Sequence, residues 1–238
     1  MHDQTELLTD LAPTGALRAA INLGNPVLAQ GTPDAPAGVT VDIARELAAR
    51  LSVPTEFTCF DAARKSFEAL MSGQADLCFL AIEPARAAEV TFTPPYVLIE
   101  GVYAVPADSQ LTSAAEADRE GVRIGVKEGS AYDLFLTRTL TRATLVRGKE
   151  GTNVFAEQGL EAGAGIREPV TAFVNAHPEY RLLDGRFMEI QQAVGIAKTK
   201  RPETARFLAD LIEELKKSGF IADSLRRSGQ SAAVAPPA

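Results

Sequence analysis

An arginine stands just past the end of an apolar run in the segment "DLCFLAIEPARAAEVTFTPPY" (Asp76–Tyr96). The run is typical of a buried strand, and the Pro-Ala-Arg turn that follows places Arg86 beyond the C-terminal end of that strand. A guanidinium at such a point offers a planar, permanently charged pair of donors to a carboxylate. The residue types leave two interpretations open: Arg86 binds an anion, or it is an ordinary solvated loop charge.

The segments before Arg86 alternate between strand and helix patterns. Apolar residues predict strands in Ala16–Gly24, in "PTEFTCF" and in "ADLCFLAI", and helical spacing predicts helices in "VTVDIARELAARLSV" and "AARKSFEALMSG". The connections are too short for anything but local crossovers. Right-handed βαβ units and a parallel sheet follow.

Ligands of such sheets collect at the C-terminal ends of the strands. Asn22, Phe60 and the segment 79–86 all fall at those predicted ends. The topology therefore gives Arg86 a place in a binding site on physical grounds.

The second half of the chain repeats the pattern between two extended runs, 96–109 and 186–199. "VRIGVKEGSAYDLFLTRTL" reads as a strand, a Gly-Ser turn and a helix, and further strand and helix patterns follow. We therefore predict an α/β protein of two Rossmann-like lobes joined by two extended hinge crossings, with a small-molecule cleft between them that closes on its ligand. The expected division is a flexible N-terminus at 1–15, lobe 1 at 16–104 and 195–229, lobe 2 at 105–194, and a disordered tail at 230–238.

Composition narrows the classes of partner. The chain has 238 residues and a formal net charge of −7, which argues against nucleic acid or an anionic membrane surface as the main partner. No apolar segment reaches the roughly 20 residues of a membrane span, so we expect no membrane insertion. Residues 1–15 lack a secretory signal pattern, so we expect a periplasmic protein if a signal peptide has been removed and a cytoplasmic one otherwise.

The cysteines and histidines suggest neither a metal site nor a cofactor. His2 and His177 are far apart in sequence and have no ligand-spaced neighbours, so we expect no metal. Cys59 and Cys78 lie in strand-like runs, where buried free thiols are favoured over a disulfide.

Five segments together resemble a known family. "GVTVDIARELAARL", "ALMSGQADLCFL", "PARAAEVTFTPPYV", "GVRIGVKEGSAYDLFL" and "LIEELKKSGFIADSLRRSG" stand in the order found in bacterial extracellular solute-binding protein family 3, over about Leu17 to Gly229. These are the amino-acid-binding receptors of ABC importers, with the type II periplasmic-binding-protein fold. The most specific element is the arginine turn followed by "FTPPY".

The resemblance implies roles for particular residues. Arg86 matches the arginine that pairs with the carboxylate of the ligand, and Gly129, Ser130 and Ala131 match the second-lobe turn that offers N–H groups and a hydroxyl to the same carboxylate. The fold also implies that the first strand lies between the strands of Cys59 and Cys78, about 10 Å apart, which is too far for a disulfide.

Other positions depart from the family pattern. Glu161 matches the first acid of the amine-recognising region, but the second falls on Ile166 or Arg167, so that a carboxylate is available there only if Glu168 moves in. Hydroxyls that usually precede the arginine are replaced by Phe79 and Ala81. Asn25 replaces an aromatic platform, and Asn22 stands where an acid is common.

These departures predict a ligand that is a small carboxylate, a dicarboxylate or a modified amino acid rather than a free basic amino acid. Arg167 is either a second cation for this ligand or part of a surface ion pair with Glu168 or Glu161. Phe60, Phe79, Tyr96 and Tyr132 are candidate walls of the cleft, with core packing as the alternative for each aromatic side chain.

We expect a monomeric, non-catalytic binding protein without a cofactor, whose partners are a small anionic or zwitterionic ligand and an ABC permease. The alternatives are an enzyme on the same fold, such as a cyclohexadienyl-dehydratase-like lyase, and an intracellular ligand sensor. A lyase would need a buried general acid, for which Glu168, Glu161 and Glu100 are the candidates.

Overall fold

The computed structural model describes residues 4–238, which separate into two compact units. Unit 1 runs to Leu98 and resumes at Gln191, and unit 2 is Ile99–Ile190. Both boundaries lie a few residues before the expected ones. Each falls inside a long strand, so the two extended runs carry the chain out of unit 1 and back.

The elements alternate between strand and helix for most of the chain. The helices of the described residues are α1 (Gln4–Leu11), α2 (Val39–Leu51), α3 (Ala63–Met71), α4 (Pro84–Ala87), α5 (Ala131–Thr139), α6 (Gly151–Gln158), α7 (Arg167–Ala176), α8 (Pro202–Lys217) and α9 (Phe220–Arg227). The strands are β1 (Leu17–Asn22), β2 (Gln30–Thr32), β3 (Ala35–Ala37), β4 (Thr55–Phe60), β5 (Leu77–Ala81), β6 (Val90–Phe92), β7 (Val97–Pro106), β8 (Arg123–Lys127), β9 (Thr144–Gly148), β10 (Ala162–Ile166), β11 (Tyr180–Leu182), β12 (Met188–Ala197) and β13 (Ala233–Val234).

Unit 1 is built on parallel strands, as predicted. β1 pairs in parallel with β4 on one side and β5 on the other, and β12 and then β6 add antiparallel strands beyond β5. β1 therefore separates the strands of Cys59 and Cys78, and both cysteines are free thiols. The order aligns the C-terminal ends of the three parallel strands at one edge.

Unit 2 repeats this plan with its own parallel strands. β8 pairs in parallel with β9 and β10, and β10 pairs antiparallel with β7, which also pairs with β11. The C-terminal ends of β8, β9 and β10 lie at one edge. The Gly-Ser turn leaves the sheet at the end of β8, where the sequence pattern predicted it.

Each unit has its own apolar core. In unit 1, α3 packs on the sheet through Ala69 and Leu70 against Cys78 and Leu80. In unit 2, Phe155 of α6 packs with Val102 and Ala104 of β7. Burial at this scale contributes roughly 25 cal/mol per Å² of apolar surface and dominates the stability of each unit.

Small residues allow α6 to approach its sheet closely. A Cβ at Gly163 would lie 2.8 Å from Phe155 Cβ, and one at Gly125 would lie 2.5 Å from the carbonyl oxygen of Gly151. The sequence "AGAGI" therefore makes a strand whose glycines give room to a helix.

Both ends of the chain differ from the expected flexible segments. Residues 4–11 form α1, whose Leu7 and Leu11 are buried, and β13 adds two residues of the C-terminal tail to the edge of β7. The contacts that order these segments come from distant parts of unit 1 and leave no local pattern.

No helix within residues 4–238 is both long enough and apolar enough to cross a bilayer.

Candidate functional site

Arg86 lies on the short helix α4, directly after the buried strand β5. Pro84 at the first helical turn starts α4, and the N–H of Arg86 donates to Glu83 O over 2.9 Å. The residue is only 4% exposed, and its Nη1 donates to Ala81 O over 3.3 Å. Arg86 is therefore not a solvated loop charge.

The electrostatic environment of Arg86 is that of a buried cation. Loss of hydration on burial lowers the pKa of Arg86, while the nearby Cys78 and Glu83 act in the opposite direction. A guanidinium keeps its proton under such conditions, and low polarity around it strengthens its attraction for anions.

The aromatic candidates beside β5 pack in the core of unit 1. Tyr96 is fully buried, its ring lies 6.2 Å from that of Phe79 at nearly a right angle, and Ala81 provides the carbonyl that Arg86 binds. Burial raises the pKa of Tyr96 and raises that of Cys78 to about 12. The Tyr96 hydroxyl has no hydrogen-bond partner among the described residues.

The asparagine candidates shape the loop after β1. Asn22 Oδ1 accepts from Gly24 N over 3.0 Å, and Asn25 Oδ1 accepts from Val27 N over 3.2 Å. Asn22 is in register with Phe60 at the ends of β1 and β4. These two residues therefore lie with the end of β5 at the C-terminal edge of the parallel strands, where such sheets bind ligands. Both side-chain oxygens are used in turns of the loop itself.

The Gly-Ser turn of unit 2 caps α5. Gly129 adopts a φ of +69°, and Ser130 is the N-cap, its hydroxyl accepting from Asp133 N over 3.1 Å. In return, Asp133 Oδ2 accepts from Gly129 N over 2.8 Å, and Ser130 N donates to Lys127 O. Two of the N–H groups expected to bind a carboxylate thus have acceptors within unit 2, while Ala131 opens the helix itself.

Two residues at this turn were missed from the sequence. Arg147 on β9 lies 3.0 Å from Asp133 Oδ1 and neutralises a carboxylate that would otherwise repel an anion at the start of α5. The Ser-x-x-Asp spacing of Ser130 and Asp133 is a capping-box pattern and could have identified Asp133. Nothing local identifies Arg147.

Tyr132, the second residue of α5, is buried beside the Gly-Ser turn. It is 7% exposed; burial raises its pKa, and the Ser130 hydroxyl acts in the opposite direction. Beside it, at the end of β8, Lys127 Nζ lies 2.5 Å from Glu150 Oε1. Two ion pairs, Lys127–Glu150 and Asp133–Arg147, therefore lie next to the turn.

Arg167 begins α7 at the end of β10 and is ion-paired with Glu100 on β7. The prediction that Arg167 forms a surface ion pair with Glu168 or Glu161 is therefore wrong. Glu161 instead lies 2.8 Å from Arg123 at the opposite end of β10. Hydrogen bonds from Arg167 lower the pKa of Glu100, and those from Arg123 lower that of Glu161.

Glu168 is different from the other acids of this region. Its Oε2 is shielded from solvent and has no hydrogen-bond partner among the described residues. It follows Arg167 just past the C-terminal end of β10, at the edge where parallel strands bind ligands.

One surface depression of unit 1 contains no predicted site residue. It has a volume of about 340 Å³ and is lined by Asp42, Arg45, Glu46, Ala49, Phe220 and Arg227. Its carboxylates and guanidiniums are largely paired, for example Asp42 with Arg227 at 2.9 Å.

Residues 4–238 contain no group of three or more His, Cys, Asp or Glu side chains placed to hold a metal ion. His177 Nδ1 lies 2.9 Å from Phe173 O, and His2 lies outside the described residues.

Comparison with known sequences gives one extensive match. Residues 17–229 match the family described as bacterial extracellular solute-binding proteins, family 3. A search of curated proteins finds no match.

Many solved structures share the fold. A solute receptor for L-cysteine of Neisseria gonorrhoeae superposes with a TM-score of 0.77 at 21% identity, covering 93% of this chain and 92% of its own. The amino acid ABC transporter substrate-binding protein AbpA of Streptococcus pneumoniae, bound to L-arginine, gives 0.73 at 20% identity, covering 93% and 99%. The ancestral amino-acid-binding protein AncCDT-1, a precursor of cyclohexadienyl dehydratase, gives 0.74 at 20% identity, covering 93% and 98%.

Proposed function

Because the chain belongs to family 3 of the bacterial extracellular solute-binding proteins, we propose that it binds a small carboxylate-bearing ligand and delivers it to an ABC importer. Its type II periplasmic-binding-protein fold agrees with such a role, since the fold is shared with amino-acid-binding receptors. Fold alone does not specify the ligand. The choice of ligand depends on the residues of the site.

The observation that carries the proposal is the buried guanidinium of Arg86. A guanidinium that is 4% exposed at the end of a parallel strand is shielded from water, which strengthens its attraction for an anion. The nearby Glu83 favours the charged form of this guanidinium. Arg86 is the proposed donor to the ligand carboxylate, and the Ser130 turn is a second candidate.

The proposed ligand is a small carboxylate or a modified amino acid rather than a free basic amino acid. Phe79 and Ala81 offer no hydroxyl where the family usually has one, and Arg167 brings a cation to the region that would bind an ammonium. The ion pair with Glu100 reduces the charge of Arg167. For this reason we favour a ligand with one carboxylate over a dicarboxylate.

Isothermal titration with the proteinogenic L-amino acids, their N-acetyl derivatives, and pyruvate, succinate and glutarate tests the proposal. We expect saturable binding of one of the carboxylates that lack a basic side chain. Tight binding of arginine, lysine or histidine would contradict the ligand class, whereas no binding by any member of the panel would contradict a carboxylate-binding function.

The importer, the compartment and the oligomeric state form part of the same proposal. A receptor of this family is expected outside the cytoplasm, as a monomer that contacts a permease. Co-purification with a permease encoded nearby tests the importer, and size-exclusion chromatography of the pure protein tests the oligomeric state.

A lyase is the second candidate, and Glu168 is the observation that favours it. Glu100 and Glu161 are ion-paired with lowered pKa values, which does not suit a general acid, but the shielded Oε2 of Glu168 has no partner within residues 4–238. Incubation with prephenate or arogenate distinguishes the two functions. Product that disappears in Glu168→Gln supports an enzyme, and binding heat without product supports a receptor.

A further inference from the structure

The C-terminal tail is bound to the first residues of β7. Ala233 and Val234 pair antiparallel with Leu98 and Val97, and Ala235 N donates to Tyr96 O over 3.1 Å. Ala235 is buried. The tail therefore covers the edge of β7 up to Leu98, the last residue of unit 1 before the chain enters unit 2.

A buried lysine ties this tail to two other segments of unit 1. The side chain of Lys216 at the end of α8 is only 4% exposed and lies 2.5 Å from Glu213 Oε1. Its Nζ also donates to Pro95 O over 3.2 Å and to Pro236 O over 2.8 Å. A buried ammonium is retained only with such partners, so these contacts hold the tail and the loop before β7 together.

The segment held in this way is connected to the candidate site. Tyr96 follows Pro95 directly, its N–H donates to Gln192 O on β12 over 2.8 Å, and its ring packs on Phe79 of β5. The contacts of Lys216 and the tail thus converge on the stretch that leads from the end of β5 into the crossing strand.

We propose that residues 233–236 and Lys216 form a strap that fixes the unit-1 end of β7. With the strap in place, β7 stays in the unit-1 sheet as far as Leu98, and any bending of this crossing strand begins after that residue. Without the strap, the stretch from Pro95 to Leu98 loses its edge partner and opens more often. The strap lies within unit 1 and does not depend on the proposed ligand.

Hydrogen–deuterium exchange of the full-length protein, without ligand, tests the strap. The variants are Lys216→Met, which keeps the length of the side chain but removes its charge, and a chain that ends at Ala232. We expect amides 96–98 to exchange about tenfold faster in both variants, the size of effect produced by losing hydrogen bonds to a charged group. Lys217→Met, which removes the exposed lysine next in sequence, serves as the matched control and should exchange like the wild type.

Two results would overturn the proposal. Unchanged exchange at 96–98 in the shortened chain would show that the tail does not restrain β7. Equal acceleration in β8 and β9 of unit 2 would show a global loss of stability instead of a local strap. If the shortened chain does not fold, Lys216→Met alone decides, because its exchange at 96–98 and 233–236 either increases or does not.

Discussion

At the level of single residues, Arg86 offers the sharpest test of the candidate site. Arg86→Lys retains a cation beside Glu83 but loses the bidentate fork, so we expect it to fold and to bind the ligand about tenfold to a hundredfold more weakly, the cost of a charged hydrogen bond. Arg86→Ala is expected to abolish binding. Titration calorimetry measures both, and circular dichroism confirms that each variant is folded; unchanged affinity in folded Arg86→Ala would remove this residue from the site.

Asp118 predicts how stability depends on pH. Its carboxylate accepts hydrogen bonds from the backbone N–H groups of Thr141, Arg142 and Ala143, and these bonds lower its pKa, with Ala143 the largest contributor. A lowered folded-state pKa means that the stabilisation is complete above the unfolded value of about 3.9 and is lost as the pH falls towards the folded value.

We therefore expect the melting temperature of the wild type to exceed that of Asp118→Asn near neutral pH, and this difference to shrink below about pH 4. Thermal unfolding followed by circular dichroism over this range measures it. Asp108→Asn, at an exposed aspartate of the same unit, should show no such trend. A constant difference across the range would mean that the charge of Asp118 contributes nothing.

The sequence predicted some of these residues and not others, for a physical reason. Arg86 and Ser130 are marked by local patterns, an arginine turn after a buried strand and a Gly-Ser helix start. Arg147 and Glu100 acquire their roles only when the fold brings them to Asp133 and Arg167. Partnerships between residues so distant in the chain leave no local pattern.

At the level of elements, α1 caps another helix. The N-cap of α8, Arg201, has no capping side chain of its own. Asp10 of α1 takes that role: its Oδ2 accepts from Arg201 N over 3.1 Å and from Thr204 Oγ1 over 2.7 Å. This explains why residues 4–11 are ordered although their composition suggested flexibility.

Removing this cap should destabilise unit 1. We expect Asp10→Ala to lower the free energy of unfolding by about 1 kcal/mol, the usual value of an N-cap, and the melting temperature by about 2–4 °C. Glu203→Gln removes an exposed acid from the first turn of the same helix and controls for its dipole. Equal effects from the two changes would show that Asp10 acts only through its charge.

The predictability of each element follows from where its stability originates. Helix α2 and strand β5 were predicted because their own residues carry the apolar pattern that packs them into the core. α1 and β13 were missed because polar or small residues dominate both, and partners elsewhere in unit 1 order them. α4 was predicted as a turn for a different reason: its four residues are too few to give a periodic signal.

At the level of the whole molecule, the repeated strand and helix pattern was enough to predict two units and the fold class, and the family match confirms the fold. The exact boundaries were harder to place, because the extended runs continue across them as single strands. Hydrophobic pattern alone does not tell at which residue such a strand passes from one core to the other.

A ligand that binds only the folded protein stabilises it, and this gives the last prediction. A carboxylate at about a hundredfold excess over its dissociation constant adds roughly 2.7 kcal/mol to folding, a rise of about 5–10 °C in melting temperature for a protein of this size. Arg86→Lys and Ser130→Ala should each reduce that rise, since each alters a group that we propose binds the carboxylate. Arg142→Met, at an exposed cation of unit 2, should retain it. If the ligand stabilises Ser130→Ala as much as the wild type, the Ser130 hydroxyl does not bind the carboxylate.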